Sequence, residues 1–148
     1  MLTPFERYQQ ALSTGNYEPD ENQAMVIEHF QTLYQTFAQQ SSKSWFKKPS
    51  KILGLYIWGS VGTGKTWLMD LFFESLPMKK KWRIHFHDFM HQTHDALTRY
   101  QGTEDPLKKI AAEYAKTTKV LCFDELMLQS YFSCGAGNCT NRNRLVFN

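Results

Sequence analysis

The stretch Gly59-Ser60-Val61-Gly62-Thr63-Gly64-Lys65-Thr66 constrains this chain more than any other. Its spacing is G-x-x-x-x-G-K-[ST], a loop that holds phosphate when a strand leads into it and a helix leads out. Ile52, Leu53, Leu55, Tyr56, Ile57 and Trp58 form an apolar run suited to a buried strand. Thr66, Trp67, Leu68, Met69, Leu71, Phe72 and Phe73 suit a helix packed on a sheet, with no proline before Pro77. Gly59, Gly62 and Gly64 permit positive φ, so successive N–H groups can converge on one point, and the helix N-terminus adds its own unpaired donors. Lys65 is expected to reach the β and γ phosphates, and the Thr66 hydroxyl to be one ligand of a Mg²⁺ ion that keeps several waters. A chance glycine-rich turn would lack the flanking strand and helix.

A second apolar run, Val120-Leu121-Cys122-Phe123, ends in Asp124-Glu125. Open α/β sheets place ligands at the carboxyl ends of their strands, so Asp124 is expected to hold the Mg²⁺ water shell and Glu125 to polarise an attacking water. An ordinary polar strand end or helix cap is the competing reading. The acid pair suits hydrolysis better than transfer to a bound acceptor.

The 148 residues, 42% hydrophobic and 15% aromatic, are enough for one globular domain. A net charge of +3 from scattered lysines gives no nucleic-acid surface. Met1 to Arg7 lacks a signal-peptide core and no run is long enough to span a bilayer, which points to the cytoplasm. Three cysteines fit a reducing compartment: Cys122 reads as a small buried hydrophobe, while Cys134 and Cys139 lack the further ligands of a zinc site.

Four segments are expected: a helical one (1–41), a basic linker (42–51), an α/β core (52–125) and an irregular tail (126–148). Thr3 as N-cap and Pro4 at the first helical position open a short helix to Leu12. Asp20 and Gln23 have capping-box spacing, and Val26, Ile27, Phe30, Leu33, Tyr34 and Phe37 repeat at helical intervals, a stripe that suits core more than partner surface. The linker's Lys43, Lys47, Lys48 and Lys51 read as a solvated connection. Trp82 to His87 reads as the next strand, with His85 and His87 on one face and His91 and His94 on the following helix. No Cys or carboxylate pair completes a metal set there, so a polar-network role is expected. Asp105-Pro106 opens a helix with Leu107, Ile110, Ala111 and Tyr114 on its apolar face. Strand, phosphate loop, helix, strand, helices, strand specifies an α/β three-layer sandwich with a parallel sheet and right-handed crossovers.

The run Leu55 to Gly59, the phosphate loop, Leu68-Met69-Asp70-Leu71-Phe72-Phe73, His85-Phe86-His87-Asp88-Phe89-Met90, Gly102 with Asp105-Pro106-Leu107, and Val120 to Glu125 resemble the ZapE cell-division ATPases, relatives of the mitochondrial AFG-type ATPases. The resemblance covers about Tyr8 to Glu125, and the His-Phe-His-x-Phe-Met segment is its most specific part. It implies a P-loop NTPase of AAA+ type that hydrolyses ATP with Mg²⁺, with Gly59 to Thr66 as Walker A, Asp124 as the Walker B magnesium acid and Glu125 as the catalytic glutamate. It further implies action on the FtsZ division ring, proximity to the membrane through that ring, and a ring-like homo-oligomer with an arginine finger donated between neighbours. His85, His87 and Phe89 match the signature without an assigned role.

After Glu125 the chain departs from that pattern. Leu126 to Phe132 gives way to a Gly-, Asn- and Arg-rich tail that reads as a shifted reading frame running to an early stop. The strand that the resemblance places between the two Walker strands is absent, as are the sensor residue, arginine finger and lid. The expectation is that the strands ending at Trp58 and Asp124 either pair directly or leave backbone groups unpaired, at about 1–3 kcal/mol each. Two functions follow: an ATPase regulating division, or a non-catalytic fragment that at most binds nucleotide or a family partner. A small P-loop kinase is a third and weaker reading, since no acceptor-binding lid is present.

Overall fold

A computed structural model describes residues 1–42 and 52–125, and the backbone of residues 144–146. In chain order the elements are α1 (Pro4–Ser13), α2 (Glu21–Ser42), β1 (Tyr56–Trp58), α3 (Lys65–Ser75), β2 (Lys81–His85), α4 (Phe86–Arg99), α5 (Pro106–Thr117), β3 (Val120–Asp124) and β4 (Arg144–Val146). The fold is α/β with parallel strand pairs, β1 with β4 and β2 with β3. The chain divides into two compact units, Met1–Pro77 with Asn138–Asn148, and Met78–Gly137.

In the first unit, α1 begins with a reciprocal cap. Thr3 Oγ1 accepts the Glu6 N–H (3.3 Å), and Glu6 Oε2 accepts the Thr3 N–H (2.8 Å). Two of the orphan donors at the helix start are thereby satisfied. Asp20 Oδ1 accepts the Gln23 N–H (2.8 Å) and opens α2, which runs to Ser42, past the expected start of the linker at its last residue. The remainder of that linker lies outside the described residues. The first half of the apolar stripe of α2 faces core: Val26, Ile27 and Phe30 are buried, Phe30 stacks on Phe72 of α3 with ring centroids 4.5 Å apart, and Leu33, Tyr34 and Phe37 are half-buried. Ile27, Leu68 and Leu76 are fully buried, each worth about 1.5–3 kcal/mol relative to exposure. Arg7 Nη1 pairs with Glu74 Oε2 (3.1 Å), fixing α1 against α3.

β1 is shorter than the apolar run that contains it. Only Tyr56–Trp58 pair, in register with Arg144–Val146, while Ile52 to Leu55 are outside any strand. A ladder extends only as far as its partner, and β4 has three residues. β4 also falls within the tail expected to be irregular; the rest of that tail, with Cys134 and Cys139, lies outside the described residues. The strand ending at Trp58 thus pairs with neither of the two alternatives expected for it, taking β4 as its partner.

In the second unit, β2 and β3 pair over five residues, from Lys81↔Val120 to His85↔Asp124. The helix after β2 starts at Phe86, so the strand ends two residues earlier than expected, at His85. α4 and α5 cover the pair through an aromatic cluster: Phe89 lies edge-on to Phe123 (4.8 Å) and beside Tyr114 (5.5 Å), and Trp82 packs on both Phe89 and Tyr114. Such edge-to-face pairs add about 0.5–1.5 kcal/mol beyond their buried area. Ile110 seats α5, whereas Leu107, expected on the same face, is exposed in the helix's first turn. Cys122 is buried, as a small hydrophobe would be. Among the described residues no helix is long and apolar enough to cross a membrane.

Candidate functional site

The residues expected to bind phosphate lie together in the first unit. Gly62 and Gly64 have φ of 89° and 79°, the left-handed region that costs L side chains strain. Gly64 is the N-cap of α3, and its carbonyl accepts the Leu68 N–H (2.9 Å), the first bond of the helix. Gly64 makes no side-chain cap hydrogen bond and the first turn carries no acid, so the positive end of the helix dipole has no carboxylate of that turn beside it. Lys65 Nζ is folded across the loop, donating to the Gly59 carbonyl (3.3 Å), the Ser60 carbonyl and Thr63 Oγ1 (3.2 Å). Thr63 Oγ1 in turn donates to the Ser60 carbonyl (3.1 Å). Val61 forms the fully exposed tip, and Thr66 is the exposed second residue of α3. The groups gathered here, main-chain N–H donors, one ammonium and a hydroxyl, are ones that can hold an anion.

Three residues of the N-terminal segment meet the loop or the first turn of α3, none of them foreseen as site residues. Gln23 Nε2 donates to the Thr63 carbonyl (3.3 Å). Tyr17 stacks on Trp67 in the first turn of α3 (4.4 Å, 12° between planes), and Tyr8 lies against the same ring (5.9 Å). The capping-box spacing of Asp20 and Gln23 concerns the start of α2 and gives no sign of the Thr63 contact.

Asp124 and Glu125 lie in the second unit. Asp124, the last residue of β3, is buried, and both its carboxylate oxygens are engaged. Arg83 Nη2 donates to Oδ2 (3.1 Å), and the Glu125 N–H donates to Oδ1 (3.1 Å). Arg83 was not anticipated. It stands two residues before His85, so both project from one face of β2, and the parallel register sets His85 opposite Asp124. Alternation along Trp82 to His85 was the available signal, but the register that makes it useful is not written in β2 alone. Glu125 has φ of 52°, unusual for a side-chain-bearing residue. Its carboxylate is exposed, with Oε2 4.0 Å from Nδ1 of His85.

His91 and His94 lie on the helix after β2, where they were expected, and His87 departs from expectation. His87 sits in the first turn of α4 and not on a strand face beside His85, because the helix begins at Phe86. Its ring meets that of His91, one turn on, at 5.5 Å. Among the described residues, no three His, Cys, Asp or Glu side chains gather closely enough to hold a metal ion. The Thr66 hydroxyl and the Asp124 carboxylate are hard oxygen donors of the kind Mg²⁺ takes in ones and twos, the remainder coming from substrate phosphates and water.

Comparison with known proteins gives a consistent family. The family model described as AFG1-like ATPase matches residues 2–131. Cell division protein ZapE of Escherichia coli (strain K12) is 40% identical over 144 residues, covering 86% of this chain and 38% of that protein. An uncharacterized protein of Schizosaccharomyces pombe is 38% identical over 137 residues, covering 86% of this chain and 30% of its own length. Lactation elevated protein 1 homolog B of Danio rerio is 32% identical over 121 residues, covering 66% of this chain and 24% of its own. The chain therefore spans well under half the length of these relatives. No solved structure gives a significant match.

Proposed function

The chain belongs to the AFG1-like ATPase family, and on that premise we propose that it is a cytoplasmic, Mg²⁺-dependent ATPase of cell division, acting on the FtsZ ring. The observation that carries the reading is the Gly59–Thr66 loop, whose left-handed Gly64 opens α3 with an uncapped, acid-free N-terminus beneath the Lys65 ammonium. The division role rests on the likeness to the E. coli protein whose name states it. The same reading completes the parallel strand pairs into the three-layer AAA+ sandwich and makes the working form a homo-oligomer.

In this account main-chain N–H groups around Gly62 to Thr66 bind the phosphates, and Lys65 exchanges its loop acceptors for phosphate oxygens. The Thr66 hydroxyl would be one ligand of Mg²⁺ and the Asp124 carboxylate would hold its water shell; when bound, the ion would supply charge neutralisation on the phosphate oxygens. Arg83 fixes the Asp124 carboxylate. Glu125 accepts a proton from the water that attacks the γ phosphorus, while the bond to the bridging oxygen breaks and leaves ADP and inorganic phosphate.

A second reading is nucleotide binding without turnover, motivated by the residues after Phe132, whose Gly-, Asn- and Arg-rich sequence departs from the family pattern. Phosphate release by purified chain with ATP and Mg²⁺, beside Glu125→Gln, separates the two. Steady release that Glu125→Gln abolishes supports the ATPase; ATP binding with no release supports the second reading. Sedimentation of FtsZ filaments with and without the chain and ATP tests the partner, and an unchanged pellet would sink it.

A further inference from the structure

We propose that Gln23 is a positioning residue for the phosphate loop, so that the start of α2 sets the direction of a phosphate-binding N–H. The inference rests on the nucleotide-binding reading above. Gln23 has its own main-chain N–H satisfied by Asp20 Oδ1 (2.8 Å). A capping box would send its side chain back to the Asp20 N–H. Instead, Nε2 donates to the Thr63 carbonyl (3.3 Å), forty residues on in the chain. The amide also lies against the next residue, since a Cβ added to Gly64 would stand 3.0 Å from Nε2. Gln23 therefore covers the Thr63–Gly64 peptide from one side.

That peptide is the sensitive point of the loop. In a planar trans peptide the carbonyl and the following N–H point in opposite directions, so fixing the Thr63 carbonyl toward α2 fixes the Gly64 N–H away from it. A glycine populates positive and negative φ with similar ease, so rotation of this plane is the cheap motion available to the loop. Gly64 is also the cap of α3, so the same rotation would disturb the helix N-terminus. The Gln23 hydrogen bond opposes it. The N-terminal segment is anchored where this matters, through the Tyr17–Trp67 stack and the bond from the Tyr8 hydroxyl to the Asp20 carbonyl (3.5 Å).

The test uses the full chain with Gln23→Ala, Gln23→Glu, the exposed α2 control Gln35→Ala, and Lys65→Ala. Calorimetric affinities for ATP and for inorganic tripolyphosphate are measured beside thermal melting and hydrogen exchange of residues 59–66. Gln23→Ala should weaken both ligands about three- to tenfold, the scale of one lost side-chain hydrogen bond. Exchange should quicken in the loop, with melting near the parent's. Gln23→Glu keeps the shape but sets an acceptor against the Thr63 carbonyl, and should weaken binding further; Gln35→Ala should match the parent. Parent-like affinity in both Gln23 variants, with Lys65→Ala still losing binding, overturns the role of Gln23 alone. So does affinity that falls only in step with melting and with exchange throughout the unit. A parent that binds neither ligand defeats the nucleotide reading and this inference together.

Discussion

Around Gly59–Thr66 the groups offered to an anion are main-chain N–H donors and one ammonium, with their directions set by backbone torsions at Gly62 and Gly64. Around Asp124 they are side chains, the carboxylate held by Arg83 and the next carboxylate near His85. The first kind of site tolerates change in its intervening side chains and not in its glycines or its charge. The second inverts this, because each truncation leaves a charged partner uncompensated while the strands beneath persist. Binding and turnover should therefore respond to different substitutions.

The largest expected effect is at Lys65. Lys65→Ala removes the loop's only cation and should weaken ATP at least about a hundredfold, measured by calorimetry, since hydrogen bonds between charged groups are the strong ones. Next comes Gly64→Ala, which forces a side chain to φ of 79° and 3.0 Å from the Gln23 amide. It should cost about 1–3 kcal/mol in melting and ATP affinity. Val61→Ala, at the exposed tip, should change neither, and a large effect there would break the distinction drawn between backbone and side chains.

Arg83→Ala tests the other region. Asp124 is buried and Arg83 only partly exposed, so stability should fall by about 1–3 kcal/mol, less than for a wholly buried pair. Turnover should fall steeply while ATP affinity changes little, and Arg83→Lys should recover part of both, keeping the charge but not the planar fork. The smallest effect is at α1. Hydrogen bonds from the Thr3 N–H and then its hydroxyl hold the Glu6 carboxyl below its ordinary value of 4.5. The cap's contribution is thus complete above that value and is lost as pH falls through the lowered folded one. Melting of the parent should fall more steeply on acidification than melting of Glu6→Gln, which has no carboxylate to protonate.

Much of this was legible in the sequence because it is local. The helix starts at Thr3-Pro4, Asp20 and Asp105-Pro106, and the glycine turn that opens α3, are each decided by a few adjacent residues, and each stands where it was expected. What escaped depends on pairing between distant segments. The length of β1 is set by β4, and the approach of Arg83 to Asp124 by a parallel register. His87 changed element because the Phe86–Phe123 contact, edge-on at 5.6 Å, comes from a helix already begun. Gln23 was read by its spacing to Asp20, and nothing within α2 announces an acceptor forty residues away.

The most direct test of the separation between binding and turnover is the dissociation constant of ATP, with Mg²⁺ present, for the parent, Lys65→Ala and Glu125→Gln, each beside its rate of phosphate release. Glu125→Gln should bind within about threefold of the parent, a shift below 1 kcal/mol, and release no phosphate, while Lys65→Ala should fail to bind. Loss of binding in Glu125→Gln, or release that survives it, would contradict the account.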